Sequence, residues 1–160
     1  MSQVDFRTYI RDVPDFPEPG IIFKDITPLL ADPHTLSSSM DALAGPYHDA
    51  GITKVVGIEA RGFIFAAPVA DRLAAGFIPI RKAGKLPHDI HHVEYELEYG
   101  TDRIEVHSDA ISADDRVLLV DDVLATGGTG VAAVELVRQL GGVVVGFSVL
   151  VELGFLAGRD

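Results

Sequence analysis

Short apolar runs rich in β-branched residues recur at 53–58, 77–81, 116–120 and 143–151. Longer segments with helical periodicity separate them. Ala133, Leu136, Val137 and Leu140 repeat at i, i+3, i+4 and i+7, while Glu135, Arg138 and Gln139 occupy the other face. Gly141-Gly142 then stops the helix. Leu36, Met40, Leu43 and Tyr47 place one apolar stripe on a helix over 34–50, and 61–75 reads as a largely buried helix interrupted locally by Pro68. Residues 4–11 read as a short helix before the proline cluster at 14–19. Runs of this kind in alternation predict a parallel, twisted α/β sheet flanked by helices. The run at 143–151 is almost continuously apolar, as expected of a strand covered on both faces.

Residues 84–108 follow a different rule. Tyr95-Glu-Leu-Glu-Tyr and Arg103-Ile-Glu-Val-His alternate by twos around Gly100-Thr-Asp, which predicts a hairpin inserted between core strands. Its polarity points to a flexible flap outside the core.

At 160 residues the chain suits a single domain, with a small hood over about 1–30. Thirteen basic against 24 acidic residues give a formal charge of −11, so nonspecific nucleic-acid binding has no electrostatic footprint. The same field repels polyanions, and any phosphate site must rest on local cations, backbone amides and a divalent metal. There is no cysteine, hence no disulfide or thiolate chemistry. No apolar run approaches the ~18 residues of a membrane span, and no basic-then-apolar leader opens the sequence, so the expected location is cytoplasmic.

The segment richest in chemistry is Arg116-Val-Leu-Leu-Val-Asp-Asp-Val-Leu-Ala-Thr-Gly-Gly-Thr-Gly130. An apolar strand ends in two carboxylates, and a hydroxyl- and glycine-rich turn leads into the amphipathic helix. Ala125, Thr126, Gly127, Gly128 and Thr129 offer backbone N–H groups at a helix N-terminus, which suits a phosphate. Asp121 and Asp122 are acceptors suited to a ribose diol. An ordinary strand-to-helix turn is the bland alternative. No lysine follows the glycines, which excludes a P-loop, and the glycine spacing is not that of a dinucleotide fold.

Arg61 follows the 53–58 strand at a helix start, where the helix dipole disfavours a cation unless an anion binds there. Arg81, Lys82 and Lys85 place three cations within five residues; they read either as a solvated loop or as a clamp on a polyphosphate. Glu59-Ala-Arg, Arg81-Lys82 and Asp121-Asp122 all lie at the carboxyl ends of predicted strands, where such sheets bind ligands. His88, His91 and His92 invite a metal site, but without cysteine or helical register a loop-stabilising role is favoured.

Five further blocks extend the pattern in order: Phe16-Pro-Glu-Pro-Gly-Ile-Ile-Phe-Lys-Asp-Ile-Thr-Pro28, Gly57-Ile-Glu-Ala-Arg-Gly-Phe-Ile-Phe65, Arg81-Lys-Ala-Gly-Lys-Leu-Pro87, Tyr95-Glu-Leu-Glu-Tyr-Gly100 and Val151-Glu-Leu153. Together they resemble the type I phosphoribosyltransferases, most closely the branch that uses adenine. The resemblance implies purine salvage: transfer of the 5-phosphoribosyl group from phosphoribosyl pyrophosphate to adenine, giving AMP and pyrophosphate. It implies pyrophosphate contacts from Glu59, Ala60, Arg61, Gly62, Arg81, Lys82 and Lys85. Ribose and 5-phosphate contacts fall to Asp121, Asp122, Ala125, Thr126, Gly127, Gly128 and Thr129. Adenine contacts fall to Ile22, Phe23, Lys24 and Val123. Catalytic roles fall to Arg61 and to Glu98 and Tyr99 of the flap, where Glu98 is a candidate proton partner for the purine N7. Mg²⁺ is the implied cofactor, held mainly by substrate oxygens without direct protein ligands, and a homodimer is the implied assembly. Lys24 stands where relatives commonly carry Arg. Two other readings stay open: transfer to a 6-oxopurine (hypoxanthine, guanine or xanthine), and a regulator that senses phosphoribosyl pyrophosphate without turning it over.

Overall fold

The computed structural model describes residues 4–97 and 99–160, in two compact units that divide between Ala42 and Leu43. In the first unit, β1 (Arg11–Pro14) pairs antiparallel with β2 (Ile22–Asp25). Arg11 faces Asp25 at 3.7 Å and the Lys24 ammonium donates to Asp12 at 2.6 Å across this ribbon. The segment at 4–11 is not a helix throughout. A 3₁₀ turn covers Phe6–Tyr9, capped by Asp5, and Arg11 already belongs to β1. Extended pairing with β2 overrides the local helical pattern there.

Helix α1 (Thr27–Ala31) is short, with Pro28 in its first turn. Helix α2 (Pro33–Ala44) starts after Asp32, whose carboxylate accepts from the Thr35 N–H at 2.8 Å. It stops well short of residue 50. Gly45-Pro46 ends the α-helical hydrogen bonding, and a 3₁₀ turn takes over at Gly45–Tyr47.

The second unit is built on one six-stranded sheet. Its strands are β3 (Lys54–Ile58), β4 (Gly76–Lys82), β5 (Ile90–Glu96), β6 (Thr101–His107), β7 (Arg116–Leu124) and β8 (Val143–Glu152), in the order β5-β6-β4-β3-β7-β8. The β4–β3–β7–β8 portion is parallel. Helix α3 (Gly62–Arg72) connects β3 to β4, running straight through Pro68, and α4 (Gly128–Gln139) connects β7 to β8. The two crossovers leave in opposite directions along the sheet. With right-handed connections they lie on opposite faces.

The pattern of burial follows the pleat. Val56, Ile58, Val117 and Leu119 join Ala133, Leu136 and Val137 of α4 in one cluster. Phe65, Ala66, Val69 and Ala70 of α3 are buried as well.

The hairpin, expected outside the core, is part of the sheet and packs on the core. β5 and β6 pair antiparallel with each other, and β6 pairs with β4 through Arg81 and Lys82. Val93, Ile104 and Val106 are buried in the same cluster as α4. A strand with polar residues on one face and three valine or isoleucine side chains on the other is an ordinary edge of a core. The pairing runs from Ile90–His107 to Glu96–Thr101.

Candidate active site

The sheet changes winding direction between β3 and β7, and crevices at such points receive ligands in open α/β sheets. A cavity of about 380 Å³ opens there, lined by Ile58, Glu59, Ala60, Arg61, Lys82, Asp121, Asp122, Val123, Ala125 and Thr129. Residues from three separated blocks of sequence thus converge on one space.

β7 runs past both carboxylates to Leu124, so Asp121 and Asp122 sit inside the strand and not at its end. β8 continues alongside as far as Glu152 and supplies the ladder that holds them extended. Asp122 is buried and pairs with the Arg61 guanidinium, the cation just ahead of α3. Asp121 accepts from the Asp122 N–H at 2.8 Å. Burial, together with the neighbouring Asp122 charge, pushes the Asp121 carboxyl up to about 8.

A Cβ on Gly62 would stand 2.8 Å from the Asp121 Oδ1 and 3.2 Å from the Val120 carbonyl oxygen. Glycine is therefore what lets the start of α3 approach β7. The Glu59–Ala60 peptide bond is cis.

Glu59 gathers the basic loop. Its carboxylate accepts from the Lys82 N–H at 2.8 Å and from Arg81 at 3.4 Å, and it pairs with the Lys85 ammonium. Desolvation would raise its pKa, but these bonds outweigh it and hold the carboxyl below its ordinary value. Arg81 and Lys85 are drawn to Glu59, whereas Lys82 lines the cavity.

At the other end, Gly127 adopts φ 89° and caps α4, so the first-turn N–H groups of the helix stand at the loop 125–129. A smaller hollow of about 90 Å³ lies under this loop, lined by Asp121 and residues 123–130 with Phe147.

The family described as phosphoribosyl transferase domain matches residues 29–155. An adenine phosphoribosyltransferase of Thermobifida fusca (strain YX) is 62% identical over 152 residues, covering 95% of this chain and 86% of that protein. The chain belongs to the adenine phosphoribosyltransferases. The crystal structure of an adenine phosphoribosyltransferase from Rhodothermus marinus superposes with a TM-score of 0.91 at 56% identity, over 96% of this chain and 88% of the other. The Saccharomyces cerevisiae adenine phosphoribosyltransferase, complexed with adenine and an imino-altritol bisphosphate, gives 0.93 at 40% identity, over 97% and 90%.

Three residues of this adenine phosphoribosyltransferase contact the cavity's lining yet carry no assigned role in the sequence reading. Tyr95 accepts from Thr129 Oγ1 at 3.3 Å, which ties the hairpin to the start of α4. Asp102 pairs with Lys82. Gly158 lies against the 125–129 loop: a Cβ on it would stand 2.1 Å from the Ala125 carbonyl oxygen. Tyr95 lay within a quoted block, Asp102 read as a turn residue, and Gly158 gave no signal.

The other candidates are placed as follows. Ile22, Phe23 and Lys24 lie on β2 of the first unit, with Ile22 exposed and Phe23 packed edge-on against Phe16. Tyr99 is 88% exposed at the hairpin turn. Glu98 lies outside the described residues. His91 Nδ1 meets Ser108 Oγ at 2.9 Å and His88 packs edge-on against His107, contacts that tie the 88–92 segment to the end of β6. Among the described residues no group of three or more His, Asp or Glu side chains forms a metal cage. No described helix is long and apolar enough to cross a membrane.

Proposed function

We infer that this chain transfers the 5-phosphoribosyl group of phosphoribosyl pyrophosphate to adenine, giving AMP and pyrophosphate, a purine-salvage reaction. The observation that carries the reading is the convergence of Arg61 and Lys82 with Asp121, Asp122 and the α4 loop on one cavity at the sheet's switch point.

The N–H groups and hydroxyls of residues 125–129 seat the 5-phosphate, and Asp121 and Asp122 take the ribose hydroxyls. Arg61, Lys82 and the backbone of residues 59–62 hold the pyrophosphate, with Glu59 keeping Arg81 and Lys85 beside it. As the bond from C1 to the pyrophosphate loosens, positive charge grows on the ribose and negative charge on the leaving group. The Asp122 carboxylate near the first and cations near the second stabilise both. The adenine N9 then attacks C1 from the opposite face. Ile22, Phe23, Lys24 and Val123 are assigned to the base, Glu98 to the proton at N7, and Tyr99 to closure over the site.

Mg²⁺ fits this donor set as an ion carried by substrate oxygens and water, since Asp122 is engaged by Arg61 and Mg²⁺ commonly takes only one or two carboxylates. When bound it would offset charge on the pyrophosphate. A homodimer in the cytoplasm completes the proposal, tested by sedimentation and cell fractionation.

Initial rates with adenine, hypoxanthine, guanine and xanthine test the assignment. Adenine is expected to be the preferred acceptor, and turnover of guanine without adenine would overturn it. Glu98→Ala should lower kcat with little change in the KM for phosphoribosyl pyrophosphate, whereas wild-type turnover would remove Glu98 from the mechanism.

A further inference from the structure

Lys82 ends β4, and its ammonium reaches across the hairpin into a closed set of partners. It pairs with Asp102 Oδ2 and donates to the Tyr95 hydroxyl at 3.1 Å. Tyr95 and Asp102 are register partners on β5 and β6, and the Tyr95 hydroxyl donates its one proton to the same Asp102 oxygen at 3.0 Å. That hydroxyl also accepts from Thr129 Oγ1, so its donor and both lone pairs are used. Lys82 lines the cavity with the two aspartates, whereas Asp102 and Tyr95 stand behind it.

Asp102 is ionised in this setting. The hydrogen bond from Lys82 outweighs desolvation and holds its carboxyl below the ordinary value. Desolvation works against the Lys82 charge too, but the bonds to Asp102 and Tyr95 prevail and raise its pKa. A full carboxylate charge therefore sits on the one lysine that reaches the cavity from β4.

Resting on the assignment of Lys82 to pyrophosphate, we propose that Asp102 is a positioning residue that competes with pyrophosphate for Lys82. When the cavity is empty, Asp102 and Tyr95 hold the ammonium in place. An arriving phosphate must draw it away from a carboxylate of the same sign as the ligand. Donor substrate and released pyrophosphate are both weakened by this competition, and the bound product leaves sooner. AMP has no pyrophosphate and is indifferent to it.

The test uses Asp102→Asn, which keeps shape and removes charge, with Asp102→Ser as a second variant should the amide disturb the strand. Calorimetric titration with Mg²⁺-pyrophosphate and with AMP is paired with the KM for phosphoribosyl pyrophosphate. Both variants are expected to bind pyrophosphate about fivefold more tightly and to show a matching fall in that KM, the scale of a part-exposed ion pair. AMP affinity should stay within about twofold. Lys82→Ala is the control, expected to weaken pyrophosphate binding. Unchanged binding in Lys82→Ala removes the pyrophosphate assignment itself. If that control responds but the Asp102 variants bind pyrophosphate no tighter than wild type, or tighten AMP equally, the competition does not exist.

Discussion

A Cβ on Gly127 would stand 2.6 Å from the carbonyl oxygen of Gly158, so the 125–129 loop and the residues after β8 meet backbone to backbone. Neither position has room for a side chain. The seat proposed for the 5-phosphate is therefore supported from behind by a segment about thirty residues further along the chain.

Gly158→Ala should push the loop at Ala125 out of place. A forced fit of this kind costs about 1–3 kcal/mol. Because the displaced backbone belongs to the loop that lines the cavity, the expected readout is a weaker seat: AMP affinity lower by roughly tenfold. Calorimetry with AMP checks it, and wild-type affinity would show that the loop yields without consequence.

Gly62→Ala tests the approach of α3 to β7. The new methyl would meet Asp121 and the Val120 carbonyl, the latter being backbone that cannot swing aside. A loss of about 1–3 kcal/mol in urea unfolding is expected.

Asp121 makes stability depend on pH in an unusual direction for a carboxylate. Its folded pKa is raised to about 8 from an ordinary 3.8, so the folded state binds the extra proton between those values. The contribution is fully present below the unfolded pKa and is lost as pH rises through the folded one. Wild type should lose stability between about pH 5 and pH 8 relative to Asp121→Asn, whose amide does not titrate. Urea midpoints at the two pH values give the answer, and parallel changes in both proteins would mean that Asp121 ionises normally.

Arg61→Ala leaves the buried Asp122 carboxylate without this guanidinium. We expect the KM for phosphoribosyl pyrophosphate to rise more than about tenfold, with Arg61→Lys falling between because a point charge replaces a fork. Identical kinetics for Ala and Lys would argue that only the fork matters.

The parallel core was legible because its strands are apolar runs and α4 carries a clean helical period, with α3 an apolar segment long enough for a helix. The site was legible where chemistry and local sequence coincide: Asp121 to Thr129 form one turn, and Glu59 to Gly62 another. Partners brought together by pairing across the sheet were not. Asp102 meets Lys82 only because β6 lies beside β4, and nothing in either segment announces that register. That the hairpin packs on the core was hidden for a related reason. Its polar residues dominate the composition, but Val93, Ile104 and Val106 all fall on one face and decide where it goes.

That placement limits how this protein can shut its site. Strands woven into a core cannot swing as a lid without unzipping Lys82 and Arg81 from β6. Any larger closure over the cavity must give up or carry along the β4–β6 pairing on which Lys82 and Arg81 sit. The cation that faces the cavity and the strand that would have to move are thus one piece of backbone.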